Sequence, residues 1–386
     1  MGTVHADQFV EARERFARRT TLAAVAGSAA PKMGSQPRAK RKLIRRAAPN
    51  HSQGIRHAVQ WAFVALNVWI GVQFFLWVRY MERGGHGLYV SRPPGVEGWL
   101  PIAGLMNLKY LLLTGDVPSI HPAAMFLLMA FLAISVLMKK AFCAWLCPIG
   151  TLSENLWKLG RKIFRKSVRV PRWVDIPLRS LKYLLLGFFG FFIAVMPAEQ
   201  IAGFMQSPYA MVADVKMLNF FRYMGETAAL VLLALVALSV VIENFWCRYL
   251  CPYGALMGLA SLLSPVKIRR DAEACIDCGK CSKACPSHLP VDQLVQIRSV
   301  ECTACMECVT ACPAEHALQF AMAPAKDADV AKRWKGRVVG PAATAAAVVI
   351  LFVGIVAIAK ATGHWQTEFP RAMYMELVTH ANQFSH

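Results

Sequence analysis

The chain has 386 residues, is 56% hydrophobic and only 17% charged, a balance that excludes an ordinary soluble domain and a disordered chain and marks a membrane protein. Its formal net charge of +20 raises the prospect of a nucleic-acid partner, but the basic residues are distributed by membrane side, which excludes one.

The first segment, 1–56, reads as a basic cytoplasmic arm, expected to be mobile. It contains Arg18-Arg19 followed by "TTLAAVAGSAAP", a weak match to a twin-arginine export leader. The apolar part is short, and eight basic residues from Lys32 onward precede the first span, so the arm is the preferred reading.

Apolar runs of bilayer-crossing length follow at 57–78, 122–137, 181–196, 227–242 and 341–361, predicting about five spans. A further stretch, 99–113, is interrupted by Asn107 and Lys109 and reads as an interfacial or re-entrant piece. Lys and Arg number seven in 38–56, eleven in 139–182 and eleven in 267–337, against four in 79–109, two in 216–222 and one, Arg371, in the tail. The bias places the N-terminus in the cytoplasm of an inner-membrane protein and the C-terminal tail outside.

Two of the apolar runs end in the same way, in "FCAWLCPIG" and "WCRYLCPYG". Cys143, Cys147, Pro148 and Gly150 correspond to Cys247, Cys251, Pro252 and Gly254, so 57–264 reads as a four-span membrane domain of two pseudo-repeated halves. Residues four apart share a helix face, so each motif is expected to present two sulfurs at the end of its span. If the halves pack symmetrically, the four thiolates meet at the cytoplasmic boundary as a third metal site, with an iron-sulfur cluster foremost. Two reduced dithiols, zinc and simple small boundary residues are the alternatives.

The polar insert 265–325 carries "CIDCGKCSKACP" and "CTACMECVTACP". Both are C-x2-C-x2-C-x3-C-P, the spacing of bacterial ferredoxins with two 4Fe-4S clusters. Three thiolates on a tight loop hold one cluster, and the fourth, turned away by the following proline, reaches the other. Cys275, Cys278, Cys281 and Cys312 are expected to bind one cluster, and Cys302, Cys305, Cys308 and Cys285 the second. The fold expected is therefore mainly α, a polytopic helical membrane protein with a small α+β ferredoxin-like insert, then a linker and fifth span (326–361) and an external tail (362–386). All twelve cysteines fall on the expected cytoplasmic side, where metal binding is a better account than disulfides.

Duplicated C-x3-C-P motifs with a double-cluster insert resemble the membrane polyferredoxins of the NapH, NosR and CcoG group, over about 56–324. "RPPGVEGWLPIAGLMNLKYLLLTGDVPSIHPA" and "SPYAMVADVKMLNFF" are similar to external loops of NosR-like and NapH-like members. The chain shows neither a flavin-binding segment ahead of the first span nor an immunoglobulin-like one after the last, which makes NapH-like the nearest pattern. The resemblance implies membrane electron transfer among the clusters, the quinone pool and a partner reductase or other redox subunit. It would make the chain an electron-transfer subunit of a quinol dehydrogenase or another oxidoreductase. The second function carried forward is a maturation factor supplying electrons or reduced metal such as copper to a partner.

Proton-accepting candidates near span ends are His121, Glu199, Asp214, Glu226 and Glu243, each read first as an interfacial residue, with His121 as a helix cap before Pro122. In the tail, His364, Met373, Met375, His380 and His386 have the chemistry of copper ligands. An amphipathic helix with Trp365, Phe369, Met373 and Leu377 on one face is the preferred account.

Overall fold

The computed structural model describes residues 46–47, 51–165, 170–322, 337–367 and 369–384. The twin-arginine pair, most of the basic arm, the whole of the 326–336 linker and His386 lie outside them.

Three helices are long and apolar enough to cross a membrane: α1 (Ser52–Glu82), α6 (Arg172–Val195) and α14 (Pro341–Ala361). The other two expected spans take different forms. α10 (Glu226–Val241) follows α9 (Ala213–Arg222) after a bend of 85°, so that the two form a broken span or a re-entrant loop. α3 (Pro122–Leu137) has only 16 residues, about 24 Å of helix against a hydrocarbon core of about 30 Å. It is the central helix, with eleven of its residues buried, packed by α14 on one side and by α2 (Pro101–Thr114) on another.

The polar residues within the apolar stretch of α2 serve neighbouring chain ends. Asn107 donates to the carbonyls of Ile120 and His121 at 2.8 and 3.0 Å. Lys109 donates to those of Ile193, Ala194 and Met196, neutralising the free carbonyls at the C-terminus of α6. Two short helices, α7 (Ala198–Met205) and α8 (Pro208–Met211), then lead to α9.

Each C-x3-C-P motif opens a helix that packs on the other half. After α4 (Ala141–Trp145), α5 (Pro148–Phe164) lies against α10. After a π turn at Trp246–Leu250, α11 (Pro252–Ala260) lies against α3. The first contact is so close that a Cβ on Gly160 would overlap the Val240 carbonyl oxygen, so no other residue fits there unaltered.

In the insert, β1 (Val266–Arg270) pairs antiparallel with β2 (Leu318–Met322), Val266 opposite Met322 and Arg270 opposite Leu318. Between them lie α12 (Lys280–Ala284) and α13 (Glu307–Thr310), one after each cysteine loop.

The tail helix α15 runs over Arg371–Thr379, starting after Pro370, so Trp365 and Phe369 lie outside it. Its buried residues are Tyr374, Leu377 and Val378, and it packs on α1, with the Tyr374 ring edge-on to Trp77 at 5.2 Å. The surface-lying helix expected from the spacing is therefore replaced by one whose apolar face is covered by protein.

Candidate functional site

The paired motifs have one local geometry. Cys147 and Cys251 are the N-caps of α5 and α11, each Sγ accepting the backbone N–H of the glycine three residues on, Gly150 at 3.4 Å and Gly254 at 3.2 Å. Proline at the first helical position fits, because its missing N–H has no intrahelical partner there. The two sulfurs of a motif thus stand on successive segments, with Cys143 in α4 and Cys247 in the π turn, rather than on one helix face as expected. The proline starts a new helix at that point, and so divides each motif between two elements.

All four of these cysteines line one cavity of about 870 Å³. Its wall is mostly apolar, with Phe63 and Asn67 of α1, Phe352 and Val356 of α14, and Phe131 of α3. At the far end it reaches Gly95, Trp99 and Trp365, and at the cysteine end Lys140, Glu301, Glu307 and Cys305. Burial pushes the Cys143 thiol up to about 11, with Lys140 opposing it, and the Cys147 thiol up to about 12, with Cys143 adding to it. Thiolates in such surroundings need a positive centre among them. Among the described residues no three of His, Cys, Asp and Glu are grouped closely enough for a single metal ion. The four sulfurs stand around a shared space wider than one ion needs, an all-thiolate set.

In the insert, Cys285, Cys302, Cys305 and Cys308 line a second, small pocket of about 20 Å³ with Ile268, Leu289, Val291, Ile297 and Met306. Cys312 has Cys275 and Cys278 as neighbours, and Cys281 has Asp292, Cys312 and Cys275. The last cysteine of each motif therefore faces the first three of the other, an arrangement that suits two all-thiolate clusters. Each loop is turned by two left-handed residues, Asp277 and Gly279 in the first, Ala304 and Met306 in the second. The second pair lacks glycine, and both residues are buried, 1% and 3% exposed, so packing holds the strained turn.

The insert is fixed to the membrane helices mainly through its second motif. Trp145 Nε1 donates to the Ala304 carbonyl at 3.1 Å, and Gln53 to that of Cys305 at 2.9 Å. Arg56 binds Glu154 at 2.6 Å and Glu307 at 3.1 Å. Lys182 binds Glu301 at 2.7 Å, and Arg248 reaches the Pro286 carbonyl at 3.4 Å. Cys305 consequently lines both the small pocket and the large cavity.

At the far end stands a buried ionic group that the sequence reading only half found. Arg92 binds Glu97 at 2.9 Å and Asp214 at 2.7 Å, and His121 Nδ1 lies 3.3 Å from Glu97. His121 makes no side-chain cap and has a left-handed φ of 52°, so the capping role expected for it is replaced by this ion pair and by a 2.8 Å contact from Nε2 to the Ala210 carbonyl. Glu199 and Glu226 are exposed, and Glu243 is paired with His288 at 3.5 Å. Arg92 and Glu97 within "RPPGVEGW" were the available signal, charges set in a Pro- and Gly-rich apolar loop.

The 4Fe-4S binding domain family matches residues 120–167 and again 225–271, one match on each C-x3-C-P motif. The 4Fe-4S dicluster domain family matches 267–330. The "Putative electron transport protein YccM" of Escherichia coli is 51% identical over 86% of this chain and 91% of its own length. The chain belongs to the membrane polyferredoxin group. "Ferredoxin-type protein NapH" of Haemophilus influenzae is 23% identical over 65% of this chain and 91% of its own. "Regulatory protein NosR" of Pseudomonas aeruginosa is 32% identical over 48% of this chain and 25% of its own. No solved structure matches this polyferredoxin.

Proposed function

We propose that this chain carries electrons between an iron-sulfur insert at one membrane face and a quinone-type carrier in the membrane cavity, in concert with a partner reductase. The observation that supports this most directly is the position of Cys305, on the wall of both the insert pocket and the cavity lined by Cys143, Cys147, Cys247 and Cys251. In this reading Cys275, Cys278, Cys281 and Cys312 hold one cluster, Cys302, Cys305, Cys308 and Cys285 a second, and the four motif cysteines a third. Bound there, 4Fe-4S clusters supply one-electron carriers whose potentials follow charge, hydrogen bonding and burial.

The protein's own groups do the rest. In this reading residues 57–264 form the membrane unit with two pseudo-repeated halves, supported by the packing of each motif helix on the other half's inward helix. Residues 265–325 form the insert. The cavity is apolar and within the size range of small-molecule sites, fitting a ring with an isoprenoid chain. Glu154, Glu301 and Glu307 are the carboxylates on its wall, each in an ion pair, and a proton released when a quinol is oxidised would pass through that paired group. In this reading the insert lies in the cytoplasm and the tail across the inner membrane, which the basic connections at the cysteine end support.

The test is iron and acid-labile sulfide in the anaerobically purified protein, beside a variant with Cys143 and Cys247 both changed to Ser. About twelve irons falling to about eight supports the third cluster. About eight in both overturns it and moves a maturation role, with the motif cysteines binding another metal, ahead of electron transfer.

A further inference from the structure

Between α3 and α4 the chain turns through two lysines, the first with a left-handed φ of 60°. The turn sends their ammonium groups to different neighbours. Lys139, 0% exposed, donates to the Ser299 carbonyl at 2.9 Å and faces Cys302. Lys140, 4% exposed, lines the large cavity beside the four motif cysteines, and of the cations around Cys143 it acts on that thiol most strongly. The carboxylate facing this group, Glu301, is already held through both oxygens by a third buried lysine, Lys182. Among the described residues Lys140 has no hydrogen bond and no ion pair of its own.

A buried ammonium that makes no hydrogen bond and shares its one facing carboxylate with another lysine is costly to keep. Lys140 is retained in a wall otherwise rich in phenylalanine and leucine, which points to a resident anion in the cavity. Four cysteine thiolates around a 4Fe-4S core make such an anion, and one more negative after reduction. In the second half the corresponding position, three residues before Cys247, is the neutral Asn244, which lines the same cavity. The second half's cations on that wall, Arg179 and Arg248, are both paired with Asp175, so the unpaired positive charge at this turn comes from the first half.

Resting on the electron-transfer reading above, we infer that Lys140 is the countercharge that sets the reduction potential of the group held by Cys143, Cys147, Cys247 and Cys251. Its ammonium favours the reduced form, holding that potential above the value the same four thiolates have in a neutral wall. Lys139 donates to the Ser299 carbonyl and acts on Cys302 of the insert, where Lys140 acts more weakly, and of the two lysines Lys140 alone lines the cavity of the motif cysteines.

The experiment is an EPR-monitored redox titration of the full-length protein and of Lys140→Met, Lys140→Arg and Lys139→Met, with iron measured on each sample. Lys140→Met should keep its iron while one couple moves to lower potential by at least tenfold in its equilibrium constant, about 59 mV for one electron. Lys140→Arg should restore that couple, and Lys139→Met should leave it in place. An unmoved couple in Lys140→Met overturns the inference and leaves the electron-transfer reading standing, whereas about eight irons in the unaltered protein overturns both. Should Lys140→Met lose iron, Lys140→Gln takes its place. Loss in both neutral variants assigns the lysine to cluster assembly and overturns its role in setting the potential.

Discussion

Lys182 reaches both carboxylate oxygens of Glu301 at 2.7 Å, and this ion pair joins a membrane-crossing helix to the residue preceding Cys302. Lys182 is fully buried, and Glu301 also accepts the Tyr183 hydroxyl at 3.1 Å. Removing one partner leaves the other charge buried and alone, at a cost of about 3 to 5 kcal/mol. Glu301→Gln should therefore lower the temperature at which the insert loses its charge-transfer absorbance, and the double variant Lys182→Met/Glu301→Gln should recover much of the loss. Equal damage in the single and double variants would show that the pair contributes no coupling.

Arg56 plays the corresponding part from the first half, bridging Glu154 of α5 and Glu307 of α13. Between the two ion pairs, Trp145 holds the left-handed Ala304 through its ring N–H. Trp145→Phe keeps most of the ring volume and leaves that carbonyl unpaired, a cost of about 1 to 3 kcal/mol. The expected signature is faster amide hydrogen exchange in the Cys302–Cys308 loop, with exchange in the Cys275–Cys281 loop unchanged. Equal acceleration of both loops would assign Trp145 to the insert as a whole.

The two motif glycines are expected to differ. A Cβ on Gly150 would fall on the Cys143 carbonyl oxygen, whereas one on Gly254 meets the Cys247 carbonyl at an ordinary 3.6 Å. Gly150→Ala should displace α4 and cost about 1 to 3 kcal/mol, with a loss of iron confined to the motif site. Gly254→Ala should retain full iron and stability. Iron analysis and thermal melts of the two variants settle the comparison, and equal behaviour would argue against the asymmetry.

The insert was legible because its chemistry fixes its spacing: a thiolate cube requires C-x2-C-x2-C, and the proline after each last cysteine requires a turn. The membrane identity was legible from composition, and the long helices from uninterrupted apolar runs. The bounds of α3 were legible too, 122–137 in sequence and structure alike, but not its place as a short central helix, because the burial of eleven of its residues comes from packing by α2 and α14 that its own composition does not record. The division of each motif between two helices was hidden for a related reason: the residue before a proline reads as a probable boundary, and nothing local says that a new helix begins at the proline itself. The far-end ionic group joins Arg92 to Asp214 and Glu97 to Thr367, pairs too distant in sequence for any periodicity to reveal.

That ionic group makes the far end sensitive to pH from both sides. Burial pushes His121 down, but the Glu97 carboxylate, with Asp214, more than reverses this against the opposing charge of Arg92, so its folded value lies above the usual 6.5. Its contribution to stability is complete below about 6.5 and is lost as the pH rises through the folded value. Burial pushes Glu97 up, yet Arg92 and His121 bring it down to about 2 from the usual 4.5, so its contribution is present above 4.5 and is lost as the pH falls toward 2. The group, which also has the buried Tyr374 hydroxyl beside it, should be firmest between 4.5 and 6.5. Hydrogen exchange in the Pro94–Trp99 turn and in α15, corrected for intrinsic rates, should be slower near pH 5.5 than near pH 8.5. His121→Gln should abolish the difference on the alkaline side while leaving the acid side to Glu97. A pH response that survives in His121→Gln would assign the alkaline transition to a different group.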